Sequence, residues 1–368
     1  MNDILEWLVT AEDPRQQAKV KHLMKDIIAI VFFAELANAN EWIEIYLFAV
    51  EHEKELREYL ELPKGIPSHD TIERVFAMVS PEFLQDFRRR WNQAMSGSVG
   101  GQIRKLLSLD GKTQRGNGNA DQKANHIVSA VDNDGFCVGE IPTEEKSNEI
   151  TAIPELLKTL NIKGHIVTID AMGCQTGIAE LIMKGKAHYM LGLKGNQGTL
   201  YEDVVHYFGE PKLLSGCAYH KVVDKARGAV EIREYWQTDD IAWLSQKQAW
   251  AGLTSIVMTR NTIHRGDTTS SEMRYFISSL PVNVEEAARA IRGHWMVESY
   301  HWHLDVTFRE DANHTLNKAA AYNLNIVKKM AINTLKLLDV GIPRISLKNK
   351  RYLLSMNFRR YFEKVMAI

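Results

Sequence analysis

Residues 165–193, HIVTIDAMGCQTGIAELIMKGKAHYMLGL, hold two apolar β-type runs around an amphipathic stretch. His165 to Asp170 is rich in β-branched residues and ends at Asp170-Ala171-Met172-Gly173. Gln175 to Lys184 carries apolar residues at threes and fours, and Ala187 to Leu193 is again β-like. The segment therefore reads strand, helix, strand. Just upstream, Asn148 to Leu160 reads as a helix with Pro154 in its first turns. Before it, IRKLLSLDG (103–111), HIVSAV (126–131) and FCVGEI (136–141) are β-rich runs separated by turn residues such as Asp132-Asn133-Asp134-Gly135. These read as three consecutive antiparallel strands.

Three strands followed by helix, strand, helix, strand is the order of an RNase H-like α/β mixed sheet. The rest of the chain is arranged around it. Residues 1–96 read as a helical N-terminal domain, with helical periodicity over Val20–Ala39 and Glu41–Leu60. Asp70 with Glu73 resembles a capping box, placing a helix start near Thr71. Ser80-Pro81 offers an N-cap with proline at the first helical position, so the next helix runs from Glu82 towards Trp91. Two short helices ending in Arg88, Arg89 and Arg90 fit a DNA-binding helix-turn-helix or a small bundle with a solvated basic end. SGSVGG (96–101) is a linker by composition. The sheet occupies 102–200, and 201–280 is a β-rich insertion carrying REYWQT, TSIVMTR and RYFISSL, with Trp236, Trp243 and Trp250 as its core. Residues 281–340 return to helix, and 341–368 form a basic helical tail.

The 368 residues include 45 Lys+Arg and 46 Asp+Glu, a net charge of −1, with 45 % hydrophobic residues. That composition excludes disordered and collagenous classes. Near-zero charge argues against a nucleic-acid partner only if the charges are evenly spread. They are not: residues 1–60 carry 12 acidic and 6 basic residues, whereas 321–368 carry 10 basic and 2 acidic. Such asymmetry hints at a polyanion partner. Cys137, Cys174 and Cys217 match neither a disulfide framework nor a zinc pattern, which suits a reduced cytosolic setting. The first residues lack the basic region of a signal peptide, and the longest apolar run, Ile27–Ala34, is too short to span a membrane. A soluble, cytoplasmic protein with no membrane partner is expected.

Two aspartates end β-runs alike, in Leu109-Asp110-Gly111 and Ile169-Asp170-Ala171. First and fourth strands are neighbours in an RNase H-like sheet, so these carboxylates meet at one sheet edge. They repel unless cations lie between them, and hard oxygen ligands select Mg²⁺ or Mn²⁺. In IRGHWMVESYHWHLDVTFRED (291–311), His294, Glu298, His301 and Asp305 share one helical stripe. Flanking Trp295, Trp302, Leu304 and Phe308 imply a packed helix that points its polar stripe at a site. His301, His303 and Asp305 alternate around a helix, so they do not form a zinc set.

These segments resemble the DDE transposases of bacterial insertion sequences, the branch that includes the H-repeat-associated proteins of Rhs elements. The resemblance rests on GIPSHDTIERVF, SLDGKTQRG, EEKSNEITAIPELL, GHIVTIDAMGCQ, YMLGLKGNQ and HWMVESYHWHLDVTFREDA, and covers nearly the whole chain. It implies an RNase H-like core with a β-rich insertion before the last acid, and a catalytic, metal-binding triad of Asp110, Asp170 and Glu298 holding two Mg²⁺ or Mn²⁺ ions. The implied activity is metal-dependent cleavage of double-stranded DNA at the terminal inverted repeats, then transfer of the 3′-OH into target DNA; the need to pair two ends makes a homodimer the expected assembly. The related signature of Tyr, Arg, Glu and Lys falls on Ile291, His294, Glu298 and Asp305, so only the Glu is kept. Arg227 to Glu231 also departs from the His-Gly-Arg more usual in this branch. Lys112, Arg115, Lys194, Asn196, Gln197, Arg292 and His294 are candidate DNA contacts, and Glu149, His301 and Asp305 candidate supports behind the metal ligands. The basic residues of 321–368 and Arg88–Arg90 join the DNA-facing candidates. A DNA-binding protein of the same fold without transposition, or an RNase H-like nuclease without strand transfer, would carry the same residues.

Overall fold

Short β-branched runs become buried strands only where both of their faces find cover. The computed structural model describes residues 2–95, 105–143, 149–226 and 228–367. The expected linker at Ser96–Gly101, the helix start at Asn148 and Arg227 lie outside them. The strands are β1 (Leu106–Thr113), β2 (His126–Asp132), β3 (Cys137–Thr143), β4 (Ile166–Ile169), β5 (His188–Leu193), β6 (Ala218–Ala226), β7 (Ala229–Thr238), β8 (Ser255–Arg265) and β9 (Thr268–Ser278). They form one sheet in the order β3-β2-β1-β4-β5-β9-β8-β7-β6. β1 pairs parallel with β4, placing Leu109 opposite Ile169, and β4 pairs parallel with β5. The first and fourth strands are thus neighbours, as expected. β9 joins β5 antiparallel, and β6 to β9 continue as an antiparallel meander. The β-rich segment therefore extends the central sheet, a pairing with no local signal in sequence.

The helices before the sheet are α1 (Asn2–Trp7), α2 (Met24–Leu36), α3 (Trp42–Glu51), α4 (Glu53–Leu56), α5 (His69–Phe76) and α6 (Pro81–Met95). Between strands lie α7 (Glu149–Thr159), α8 (Thr176–Lys184), α9 (Thr199–Gly209) and α10 (Pro211–Ser215). After β9 come α11 (Val284–Trp302), α12 (Lys318–Leu337), α13 (Leu347–Met356) and α14 (Phe358–Ala367). Three expectations change. α5 starts at His69 behind an extended Ser68, so Asp70 lies inside the helix and cannot cap it. Pro154 falls in the second turn of α7, within the first turns as expected. The first residues of the 201–280 segment are helical: Leu200, Val204, Tyr207 and Phe208 repeat at helical spacing and are buried. Of its three tryptophans, Trp236 and Trp250 are buried, but Trp243 is 42 % exposed and stacks on Tyr207. α6 does start at Pro81, with the Ser80 hydroxyl accepting the Phe83 N–H at 3.3 Å.

The chain divides into two compact units, Met1–Gly101 with Lys112–Ile127 and Ser299–Ile368, and Gln102–Gly111 with Val128–Glu298. In the first, α2 is buried on every side, its residues from Ile27 to Leu36 wholly so, Glu35 among them. Phe32 and Phe33 meet Phe87, Trp91, Phe358 and Phe362 at ring-centroid distances of 4.5–6.3 Å. In the second, one sheet face buries Leu107, Leu109, Val167 and Ile169 against α7 and α8. The other buries Leu106, Ile166 and Met190 against Ala287, Ala290 and Ile291 of α11. Among the described residues no helix is long and apolar enough to cross a membrane.

Candidate active site

Parallel pairing of β1 with β4 decides where the aspartates go. Leu109 lies opposite Ile169, so Asp110 and Asp170 follow in the same step on adjacent strands, which run about 4.8 Å apart. Asp110 is half-buried and Asp170 exposed. Asp170 Oδ1 accepts the N–H groups of Met172 (3.0 Å) and Gly173 (3.4 Å), which folds the chain sharply after the strand. Oδ2 is not held by these amides.

α11 supplies the third acid. Gly293 lets the helix lie directly on β1, since a Cβ there would come within 2.0 Å of Leu106 Cδ2. One residue on, His294 Nδ1 meets Thr168 Oγ1 at 3.0 Å. Thr168 donates to Ser108 Oγ at 3.0 Å, and Ser108 donates to the Gly293 carbonyl at 3.4 Å. With its one proton given to Ser108, Thr168 accepts from His294, which fixes the Nδ1–H form of the ring. Glu298 follows one turn later. Asp110, Asp170, His294 and Glu298 line a single cleft of about 480 Å³, together with Lys194, Tyr201, Glu272 and Arg274.

The remaining candidates separate into those at the cleft and those used elsewhere. Lys194 is exposed at the cleft. Asn196 and Gln197 act on the neighbouring loop instead of facing outward: their amides donate to the carbonyls of Ala171 (2.7 Å) and Cys174 (2.5 Å), bracing the turn that holds Asp170. Lys112 is not available to phosphate. It is 10 % exposed and pairs with Asp305 (2.7 Å), Glu310 (2.9 Å) and Asp311 (3.1 Å). Burial would lower its pKa, but Glu310 and Asp305 outweigh burial and raise it. Arg115, next along, is 82 % exposed with its Nε 3.8 Å from Asp311. Arg292 is exposed on α11.

The expected stripe also breaks. The α-helix ends at Trp302 and a π-helical turn covers His303–Thr307, so Asp305 does not continue the line of His294 and Glu298. Asp305 salt-bridges Lys112, and burial raises its pKa against that lysine's pull. His301 and Glu149 are buried, the latter as the first residue of α7. Neither lines the cleft. Sequence reasoning missed Glu272, Arg274 and Tyr275, which reach the cleft only because β9 pairs with β5.

Residues 101–334 match the transposase DDE domain family, and residues 5–92 match its DDE_Tnp_1-associated family. The chain belongs to the DDE transposase family. Like this transposase-family chain, "Putative transposase YncI" of Escherichia coli O157:H7 spans the whole alignment, at 36 % identity over 100 % of this chain and 95 % of the relative. "H repeat-associated putative transposase YhhI" of Escherichia coli K12 is 34 % identical over 100 % of this chain and 98 % of its own length. Among solved structures, a piggyBac transposase synaptic complex with hairpin DNA aligns over 99 % of this chain and 77 % of that one, with a TM-score of 0.39 and 10 % identity.

Proposed function

We propose that this transposase-family chain cleaves double-stranded DNA at the ends of an insertion sequence and transfers the resulting 3′-OH into target DNA. The observation that carries this reading is the meeting of Asp110, Asp170 and Glu298 at one cleft, two of them from adjacent parallel strands. The order β3-β2-β1-β4-β5 supports an RNase H-like core over 102–200 and 281–340, with 201–280 extending its sheet and 1–96 as the segment proposed to add DNA contacts.

Among the described residues no three His, Cys, Asp or Glu side chains are drawn together tightly enough to hold one ion between them. The donor chemistry nevertheless fits hard cations. Asp110 and Asp170 are adjacent carboxylates whose mutual repulsion calls for positive charge, and Asp170 keeps Oδ2 for a ligand. We assign Asp110, Asp170 and Glu298 as ligands for two Mg²⁺ or Mn²⁺ ions, which when bound would activate an oxygen nucleophile at neutral pH and neutralise the reacting phosphate. The chain's own groups do the positioning. The Asn196 and Gln197 braces keep Asp170 at its strand end, and the Ser108–Thr168–His294 bonds fix α11 so that Glu298 faces the aspartates. Lys194 at the cleft supplies a cation for a phosphate oxygen. Pairing two DNA ends calls for a homodimer, acting on DNA in the cytoplasm.

The test is incubation of purified protein with labelled DNA spanning the borders of its coding element, Mg²⁺ and a target plasmid. Cleaved and joined products are expected, with Asp110→Ala abolishing both while leaving binding intact. Cleavage without joined product would favour a nuclease, and binding without metal-dependent cleavage a DNA-binding protein of the same fold.

A further inference from the structure

We propose that a second groove, beside the cleft, holds the phosphate backbone of the DNA strand entering the cleft; this rests on the DNA reading above. The groove has a volume of about 420 Å³ and is built from β7, β8, β9 and α11. It shares Glu272, Arg274 and Ile291 with the cleft, so a polymer leaving one enters the other. Four arginines line it against two glutamates.

These arginines are not equivalent. Arg233 is 11 % exposed and committed to Glu231 at 2.7 Å and to Asp224, so it is part of the wall. Arg260 grips Glu234 at 2.8 and 2.9 Å and lies over Trp236. Arg274 pairs with Glu272 at 2.9 and 3.1 Å, but both side chains are exposed. An ion pair that exposed is weak in water, so phosphate displaces Glu272 at little cost. Arg292 makes no ion pair among the described residues.

What joins Arg274 and Arg292 is Trp295. Its ring is 39 % exposed, and its centroid lies 5.3 Å from the Arg274 guanidinium and 5.6 Å from that of Arg292. A guanidinium against an aromatic ring keeps its N–H edge for an oxyanion. Trp295 is therefore a positioning residue, holding together two cations that would otherwise repel. Two neighbouring forks of this kind suit a ligand with repeated phosphates.

The claim is tested by fluorescence-anisotropy titration of a labelled duplex of arbitrary sequence at several KCl concentrations, with circular dichroism checking each variant's fold. Phosphate contacts appear in the slope of log K against log salt. Arg292→Gln is expected to weaken binding and lower the slope by about one, and Arg274→Gln with Arg292→Gln by about two. Arg292→Lys keeps the wild-type slope. Trp295→Ala moves the slope towards that of the double variant, whereas Trp295→Phe retains it. An unchanged slope in the folded double variant, with wild type still binding, overturns the groove assignment alone. Failure of the wild type to bind the duplex sinks the DNA reading and the groove with it.

Discussion

Glu35 and Arg351 face each other inside the first unit with both side chains fully buried, Arg351 Nη2 lying 3.4 Å from Glu35 Oε2. Burial raises the Glu35 carboxyl to about 7, against the pull of Lys328 and Arg351. Burial likewise lowers Arg351, to about 10. Because the folded pKa of Glu35 exceeds its unfolded value near 4.5, the folded state binds the extra proton. Its favourable contribution is therefore complete below about pH 4.5 and lost as pH rises through 7. Glu310 behaves in the opposite sense: burial alone would raise it, but Lys112, Lys328 and Asn325 hold it down to about 2. Its contribution is present above pH 4.5 and lost as pH falls towards 2. Urea unfolding of wild type and Glu35→Gln at pH 5 and pH 7 separates the two acids. The variant should be relatively more stable at pH 7, by an amount on the order of 2 kcal/mol, because it removes the pH dependence specific to Glu35. An identical pH 5 to pH 7 difference in both proteins would contradict the assignment.

At the scale of elements, the position of α11 depends on a residue that has no side chain. Gly293 sits within a helix, where alanine would ordinarily be favoured by about 1 kcal/mol. Here a Cβ would lie 2.0 Å from Leu106 Cδ2, so Gly293→Ala must push α11 away from β1. The expected cost is about 1–3 kcal/mol of overpacking, and the cleavage proposed above should fall with it, because Glu298 rides on the same helix. Leu106→Ala alone opens a cavity, at about 2–5 kcal/mol. Together the two changes should cost less than the sum of the singles, a coupling readable in a denaturation double-mutant cycle; strict additivity would show that the helix does not bear on Leu106. Short apolar runs and turn residues made β1 to β5 legible, and Ser80-Pro81 marked α6. One helix start shifted: α5 begins at His69, ahead of the Asp70 that its spacing to Glu73 had marked as a cap. The π-helical turn at His303–Thr307 was invisible, because the apolar spacing of Leu304 and Phe308 also suits an uninterrupted α-helix.

For the whole molecule, the ends of the chain explain each other. Acids in the first 60 residues and cations after residue 320 looked like a polyanion-binding arrangement, because a sequence shows how many charges there are but not which are buried together. Within the first unit, Lys328, Lys329, Lys350 and Arg351 are buried, and Arg351 meets Glu35, while Lys350 donates to the carbonyls of Leu335 and Leu338 at 2.6 Å. Arg359 on the surface reaches Glu58 at 3.5 Å. Four of the ten basic residues of 321–368 are thus structural, and the DNA-facing expectation is corrected for them. The three acids proposed as metal ligands, by contrast, were picked out by position, after apolar β-runs and on a helix; Asp170 does follow the end of β4, whereas β1 runs on past Asp110 to Thr113. The division of labour among the tail cations can be measured. Arg351→Leu leaves Glu35 buried without its partner and should cost about 3–5 kcal/mol. Arg359→Ala, exposed at 62 %, should change stability by less than about 0.5 kcal/mol. Urea midpoints that move equally in the two variants would mean that the buried pair contributes no more than the surface one, and the tail would again be a candidate DNA-facing segment.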